Sequence, residues 1–366
     1  MKSCHKLSAP HVGWRSGQVT SCCKGVLVGL LAALLLVAAS CGGGGTPSDV
    51  VLLTHDSFAV SDGVVQEFER DTGLKLRILK AGDAGEVVTK AALTAGNPQG
   101  DVLFGVDNTL LSRALDAGVF EPYEPAALED VDPELVLDPG HRVTPVDQGD
   151  VCLNYDKAWF AERGVAPPRT LEEVTLERYR DLLVVENPAT SSPGLAFLLA
   201  TIARYGDLWQ GYWRKLRANG VLVVDGWEEA YNVRFSGSAG EGTRPIVVSY
   251  ASSPPAEVIY RKPRPSVAPT SVIEDSCFRQ IEFAGVLRGA RNEEGARQLV
   301  DFLLSKRFQE DIPLAMFVFP VNRAAELPRE FVEYAVVSQR PLELPPDEIE
   351  ANRDRWVREW TDIVVR

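Results

Sequence analysis

From Asp49 onward, short apolar runs alternate with amphipathic stretches. The runs are rich in Val, Leu, Ile and Phe and predict strands at 50–58, 74–82 and 101–108. The stretches between and after them predict helices at 61–73, 85–96 and 109–118. In the first helix Val64, Val65 and Phe68 share one face, and Gly73 suits the C-cap. The alternation predicts a parallel sheet covered by helices.

A second α/β unit follows a proline-rich, strand-poor stretch at 121–144. Residues 178–206 predict a strand, a loop and a helix, and 207–220 predict another helix. Further strands are predicted at 221–227 and 244–254, a strand with a turn at 277–290, helices within 292–313, and a closing amphipathic helix at 347–366. Two units joined through the middle of the chain predict two lobes, with a ligand cleft beyond the strand ends.

The N-terminal segment has the pattern of a secretory signal. Residues 26–39 are uncharged and mostly apolar, too short for a membrane span of about 20 residues. Small residues then lead into Cys41, in a pattern that resembles the bacterial lipobox, with Ala38 where Leu is usual. That resemblance implies a signal peptide at 1–40, lipidation of Cys41 and a flexible tether at 41–48. The alternative is a plain cleaved signal with an incidental cysteine.

The net charge of the chain limits the classes of ligand that it is expected to bind. The chain of 366 residues has a net charge of −13, and removing the four basic residues of the signal makes it −17. An acidic surface argues against binding nucleic acid or anionic membrane, and it weakly attracts a cationic small molecule. An apolar content of 45% excludes a disordered chain.

Few residues could hold a metal ion. After the signal only His55 and His141 remain, and the cysteines beyond Cys41 are Cys152 and Cys277. An even pair in an oxidising compartment predicts one disulfide, with two buried thiols as the alternative. A metal site built on His or Cys is therefore not expected.

Enzyme signatures are missing from the sequence. It contains no GxSxG elbow, no phosphate-binding GxxxxGK[ST] loop, no HExxH and no GxGxxG after a strand. We therefore predict a binding protein without catalytic residues and without a cofactor.

The clearest local candidate for a binding site is the segment 186–206. Ser192 suits an N-cap and Pro193 the first helical position. With Ser191 beside them, the free N–H groups at this helix start could bind an anion or a hydroxyl group. The alternative is simple capping without a ligand.

Two strand ends carry further candidates. Trp227 follows one predicted strand, and Tyr250, Ser252 and Ser253 end another. A single aromatic residue at such a position is more often core, but the clustering of Ser and aromatic residues favours a site. Phe317 is interpreted as core that could reach the cleft from a loop.

Seven segments together resemble one known family. They are THDSFAVSDG, DVLFGVDNTLL, TPVDQGDVCLNYDK, NPATSSPGL, DGWEEAY, VVSYASSP and RWVREWTDIVVR. Over about residues 51–366 the chain resembles the periplasmic thiamine-binding proteins of bacterial ABC importers. The resemblance implies ligand contacts at Asp83, Ala84, Ser191, Ser192, Trp227, Tyr250, Ala251, Ser252 and Ser253. Further candidates are His55, Asp56 and Phe317. The family has Tyr at the position of His55 and Trp at the position of Phe317.

The resemblance also implies the architecture and the partners. It implies an α/β, two-lobed type II periplasmic binding fold, with mixed sheets flanked by helices. Lobe 1 would comprise 49–150 and 277–366, and lobe 2 would comprise 151–276. A Cys152–Cys277 disulfide would lie at the hinge. The implied function is capture of thiamine or its phosphates by a monomer at the outer face of the membrane, for delivery to an ABC permease.

Two other functions remain open at this stage. One is a type II receptor for an inorganic ion such as ferric iron or an oxyanion, although the chain lacks the adjacent tyrosines usual in ferric receptors. The other is a structural surface lipoprotein with a vestigial cleft.

Overall fold

The computed structural model describes residues 48–239 and 242–366. The predicted signal, the predicted lipidation of Cys41 and the tether as far as residue 47 lie outside them. All described residues belong to one compact unit. Within this part of the chain, we find no helix with the length and apolar character that a membrane span requires.

A ten-stranded mixed sheet runs through the described residues. Its strands are β1 (Asp49–Thr54), β2 (Lys75–Lys80), β3 (Val102–Asp107), β4 (Phe120–Glu121), β5 (Thr144–Asp156), β6 (Leu183–Glu186), β7 (Leu222–Val224), β8 (Ile246–Tyr250), β9 (Thr270–Leu287) and β10 (Phe319–Pro320). The order is β2-β1-β3-β9-β5-β8-β6-β7, with β4 paired to β9 and β10 to β5.

Helices cover this sheet. They are α1 (Asp62–Thr72), α2 (Ala84–Leu93), α3 (Leu111–Asp116), α4 (Lys157–Arg163), α5 (Ser192–Tyr205), α6 (Trp209–Ala218), α7 (Pro254–Tyr260), α8 (Glu293–Leu303), α9 (Lys306–Gln309), α10 (Ile312–Ala315), α11 (Arg329–Tyr334) and α12 (Pro346–Val364). Short 3-10 turns are found at 126–130, 133–135, 173–175, 177–179 and 206–208, and a π-helical turn at 229–234. Gly73 ends α1 in the left-handed conformation, as predicted.

Two parallel strand groups flank two long antiparallel strands. The first strand group is β1–β3 and the second strand group is β6–β8, each with parallel pairing. The crossing strands β5 and β9 pair with each other, and they join β8 and β3 by antiparallel pairing. The parallel sheet expected for residues 49–118 is therefore confirmed in the first strand group. The antiparallel pairing of β5 with β9 makes the whole sheet mixed, as the resemblance implied.

The strand predicted at 277–290 is longer than expected. β9 begins at Thr270 and continues without a turn to Leu287. Residues 270–273 pair with the end of β5, and pairing resumes at Phe278 after a shift in register. Because the residues between them, including Glu274 and Asp275, lie outside the register, they interrupt the apolar alternation that marks a strand.

The disulfide between Cys152 and Cys277 is confirmed. The two sulfur atoms are bonded at 2.04 Å, and the Cα atoms lie 4.2 Å apart. Cys152 belongs to β5 and Cys277 to β9, at the shift in their register. The bond therefore ties the two crossing strands where the sheet passes from one strand group to the other.

The C-terminal helix α12 contacts both strand groups' helices. Trp360 packs edge-on against Trp213 of α6, with ring centroids 5.4 Å apart. At its other end, Arg353 Nη1 donates to the Thr109 carbonyl at 3.2 Å, next to α3. The lobe boundaries stay a prediction, and α12 is not confined to the first strand group.

Candidate functional site

A cleft of about 510 Å³ lies between the ends of the two strand groups. The start of α2 and the loop after β1 form one side, and the starts of α5 and α7 with the turn after β7 form the other. Of the side chains proposed from sequence, those that line it are His55, Asp83, Ala84, Ser192, Trp227, Tyr250, Ser253 and Phe317.

Asp83 connects the two sides of the cleft. It is the N-cap of α2, where its Oδ1 accepts the Ala84 N–H at 2.7 Å. Its Oδ2 accepts the Trp227 N–H at 3.1 Å, from the second strand group's side. Burial raises the pKa of Asp83 to about 6, although the donors from Trp227 and Ala84 lower it. A Cβ added to Gly226 would lie 2.7 Å from Asp83 Oδ2, so this approach leaves no room for a side chain.

The two sides also meet through their backbones. The Gly85 N–H of α2 donates to the Thr190 carbonyl before α5, at 3.0 Å. A Cβ added to Gly85 would lie 2.6 Å from that carbonyl oxygen. A glycine at 85 therefore permits the close contact between the two halves.

The start of α5 differs from the prediction by one residue. Ser191, with extended backbone angles, is the N-cap, and Ser192 is the first helical residue. Proline suits either of the first two helical positions, so Pro193 alone does not fix the boundary. Assigning Ser192 as the N-cap was therefore wrong, but Ser192 and Pro193 still line the cleft.

Two stacked rings form one wall. Trp227 and Tyr231 have centroids 5.1 Å apart and an angle of 13° between planes. Trp227 Nε1 donates to Ser249 Oγ at 2.9 Å, and Ser249 Oγ lies 2.9 Å from Ser253 Oγ. The hydroxyl pair holds the indole in one orientation, so a flat face is available for a ligand.

A second aromatic group lines the same cleft. Phe317 packs edge-on against Tyr260, with centroids 5.5 Å apart. Phe317 has a φ of 60°, an uncommon conformation for a residue with a bulky side chain. Tyr250 completes the aromatic lining. Phe317 therefore reaches the cleft from a loop, as its second interpretation proposed.

Carboxyl groups are buried at the crossing strands. Glu282 lines the cleft with 7% exposure, and Asp147 beside it is 1% exposed. Burial raises the pKa of Asp147 to about 7, and burial together with Asp147 raises the pKa of Glu282. The Asp147 carboxyl therefore titrates near neutral pH, and its titration is linked to that of Glu282, whose pKa is raised as well.

His55 does not neutralise these acids. Its Nε2 lies 3.6 Å from Glu282 Oε1, but burial and then Lys80 lower the pKa of His55 to about 4. Arg261 is the one arginine or lysine among the described residues that line the cleft. The cleft therefore has an acidic and aromatic character that suits a flat cation.

Four candidates from sequence do not line the cleft. Ala251 packs against the disulfide, while Ser191 and Ser252 are buried. Asp56 is exposed and accepts the Gly82 N–H at 3.1 Å. Conversely, sequence reasoning missed the lining residues Tyr231, Glu257, Tyr260 and Glu282.

Within residues 48–239 and 242–366, no group of three or more His, Cys, Asp or Glu side chains is placed to hold a metal ion.

Comparison with known proteins places the chain in a family. Residues 97–338 match the model of the bacterial extracellular solute-binding proteins. The chain belongs to this family. Membership confirms the prediction of a solute-binding protein rather than an enzyme.

Individual relatives in this family agree. The thiamine-binding periplasmic proteins of Salmonella typhimurium and Escherichia coli are each 30% identical over 325 residues, which cover 87% of this chain and 94% of the relative. A solved periplasmic thiamin binding protein matches with a TM-score of 0.76 and 28% identity, over 88% of this chain and 98% of that one. The resemblance named from the sequence and the two-lobed fold are both confirmed.

Proposed function

We propose that the protein captures thiamine or one of its phosphates and delivers it, chemically unchanged, to an ABC import permease. The names of the relatives support thiamine as the ligand, and the aromatic and acidic side chains of the cleft support the same ligand on physical grounds. The observation that carries the proposal is the combination of a stacked Trp227–Tyr231 face with Asp83 and Glu282 in one cleft.

The thiazolium ring of thiamine is a flat, permanent cation. It would lie against the faces of Trp227 and Tyr250, with Phe317 as a third ring. A desolvated cation–π contact contributes about 2 kcal/mol. Asp83 would accept from the aminopyrimidine or offset the positive charge, since both sides of the cleft hold its carboxylate in place.

The other end of the ligand meets polar groups. Ser192, the first residue of α5, and Ser253, the N-cap of α7, both line the cleft. The N–H groups and the dipole at a helix start favour a hydroxyl oxygen or an anion. This end of the cleft would therefore hold the hydroxyethyl group or a phosphate.

Binding would close the two lobes. Asp83 approaches from the first strand group's side, and Trp227 from the second. Because only the closed arrangement brings both sets of contacts to the ligand, the ligand stabilises that arrangement. We further propose that Cys41 is lipidated and holds the domain at the outer face of the membrane, as a monomer.

Calorimetry on ligand-free, refolded protein tests the binding proposal. Thiamine, its monophosphate and its diphosphate are titrated separately, and heat and Trp fluorescence are followed. We expect heat with at least one of the three and a change in fluorescence, because Trp227 lines the site. No heat and no fluorescence change with any of them would remove the proposal and favour a vestigial cleft.

A further inference from the structure

A second cavity, of about 220 Å³, shares no lining residue with the ligand cleft. Gly85 and Ala189 contribute from the two sides that meet at the Gly85–Thr190 hydrogen bond. Arg113 lines it from α3, and Arg353, Asp354 and Arg358 line it from α12. The cavity therefore lies where both strand groups and the C-terminal helix come together.

Three arginines, Arg113, Arg353 and Arg358, line this cavity, which we call the arginine pocket, and two of them have no ion-pair partner among the described residues. Within the described part of the chain, the side chains of Arg113 and Arg358 take part in no hydrogen bond or ion pair. Arg353 is 7% exposed, and its buried Nε has no hydrogen-bond partner among these residues. Asp354 Oδ1 lies 3.7 Å from that nitrogen. Asp354, Asp107 and Glu350 all act electrostatically on Arg353, so the unpaired positive charge of the pocket is that of Arg113 and Arg358.

This charge is opposite to that of the whole molecule. The chain has a net charge of −13. Repulsion by the rest of the surface means that an anion is held here by local contacts rather than by long-range attraction. Guanidinium groups bind oxyanions through parallel N–H bonds. The side chains of Arg113 and Arg358, which line the cavity, are the donors that such a ligand would engage.

We propose that the arginine pocket binds a small oxyanion of the phosphate type, and that this anion favours the closed arrangement of the lobes. An anion between Arg113 and Arg358 would tie α3 of the first strand group's side to α12, which also packs on α6. Because Gly85 and Ala189 form the pocket from both sides, opening the cleft takes the pocket apart. Binding here and binding in the cleft then strengthen each other.

Titration of the protein with inorganic phosphate, followed by calorimetry, tests the site directly. The double variant Arg113→Gln/Arg358→Gln should bind phosphate at least ten-fold more weakly than the unmodified protein. The matched control is Arg355→Gln, on the same helix but paired with Glu359 at 3.0 Å outside the pocket; it should bind as before. Equal phosphate binding by the double variant, or no binding by the unmodified protein, would overturn the proposal.

The coupling is tested by measuring the affinity for the cleft ligand with and without phosphate, at ionic strength matched with chloride. Phosphate should raise the affinity several-fold in the unmodified protein and in Arg355→Gln, and leave the double variant unchanged. An unchanged or lower affinity in the unmodified protein would overturn the coupling. This inference rests on the proposed function only for the identity of the cleft ligand. The phosphate titration of the arginine pocket needs no thiamine, so a failure of thiamine binding in the cleft is distinguished from a failure of phosphate binding in the pocket.

Discussion

The backbone N–H of Trp227 donates to Asp83 Oδ2 at 3.1 Å and thereby connects the two halves of the cleft. Asp83 is at the same time the N-cap of α2, so its carboxylate is held from both sides. Asp83 can therefore contact a cationic ligand, and its hydrogen bond to Trp227 forms only when the two sides of the cleft are together.

Gly85→Ala should weaken ligand binding by ten-fold or more. The added Cβ would lie 2.6 Å from the Thr190 oxygen, so the two halves cannot approach as they do now. Calorimetry with the cleft ligand measures the loss.

The matched control for this change is Gly211→Ala in α6, where an added Cβ meets nothing within 4 Å. It should bind normally and unfold at an equal or slightly higher temperature. Normal affinity of Gly85→Ala would mean that this contact is not part of the bound state.

Trp227→Ala should weaken binding by about ten-fold or more, on the order of 1.4 kcal/mol. The stacked face over Tyr231 is lost in this variant. Trp227→Phe keeps a ring but not the hydrogen bond to Ser249, so it should lose less. Fluorescence titration and calorimetry distinguish the three proteins; equal affinity of Trp227→Ala and the unmodified protein would exclude stacking on this ring.

The sequence predicted the strands and helices that show clear periodicity, and the residues that begin or end them. Gly73 is an example, because capping chemistry acts locally. The start of α5 was predicted to within one residue, since proline suits both of the first two helical positions. Trp227 and Tyr231 are four residues apart in a helical turn, so their stacking was a signal that could have been used.

Contacts between distant segments could not be predicted in the same way. Asp147 and Glu282 are two acids among 51, and only the pairing of β5 with β9 brings them together. Gln280 and Glu282 did leave a signal, since they are polar residues on either side of Ile281 and next to the apolar run that ends β9. The alternation of apolar and polar residues in β9 is interrupted at Glu274 and Asp275, which are not paired with β5. The start of this strand was therefore missed.

Removing the disulfide should lower the free energy of unfolding by up to about 4–5 kcal/mol in the chain-entropy model. The Cys152→Ala/Cys277→Ala variant opens a loop that closes over a sequence separation of 125. Reductant should lower the unfolding midpoint of the unmodified protein and leave the variant unaffected. A mass under non-reducing conditions that corresponds to two free thiols would contradict the bond.

Cys41→Ala should release the protein from the membrane fraction after its signal is cleaved. A single acyl chain holds a protein weakly while several hold it stably, so the diacylglycerol-modified cysteine is the expected anchor. Fractionation followed by mass measurement of the N-terminal peptide checks this. Retention of the cleaved variant in the membrane would show that another segment anchors it.

Ligand-free protein should become less stable as the pH rises from about 4 to about 7. Burial raises the pKa of Asp83 to about 6 and that of Asp147 to about 7, so in this window the folded state holds protons that the unfolded state has lost. His55, with its pKa lowered to about 4, acts in the opposite direction below about pH 6.5. Thermal unfolding at a series of pH values measures the net slope, and Asp147→Asn should make the fall shallower.

The affinity for a cationic ligand should depend on pH in the opposite direction to the stability of the ligand-free protein. The reason is that a cation favours the deprotonated form of the Asp147–Glu282 pair. Affinity should therefore rise with pH between about 6 and 8, by up to about ten-fold per unit for one coupled proton. Calorimetry in buffers of different ionisation enthalpy measures the proton released, and Asp147→Asn should release less. His55→Gln is the control, since His55 is neutral throughout this range and its loss should leave the slope unchanged. An affinity independent of pH in the unmodified protein would mean that the pair does not respond to the charge of the ligand.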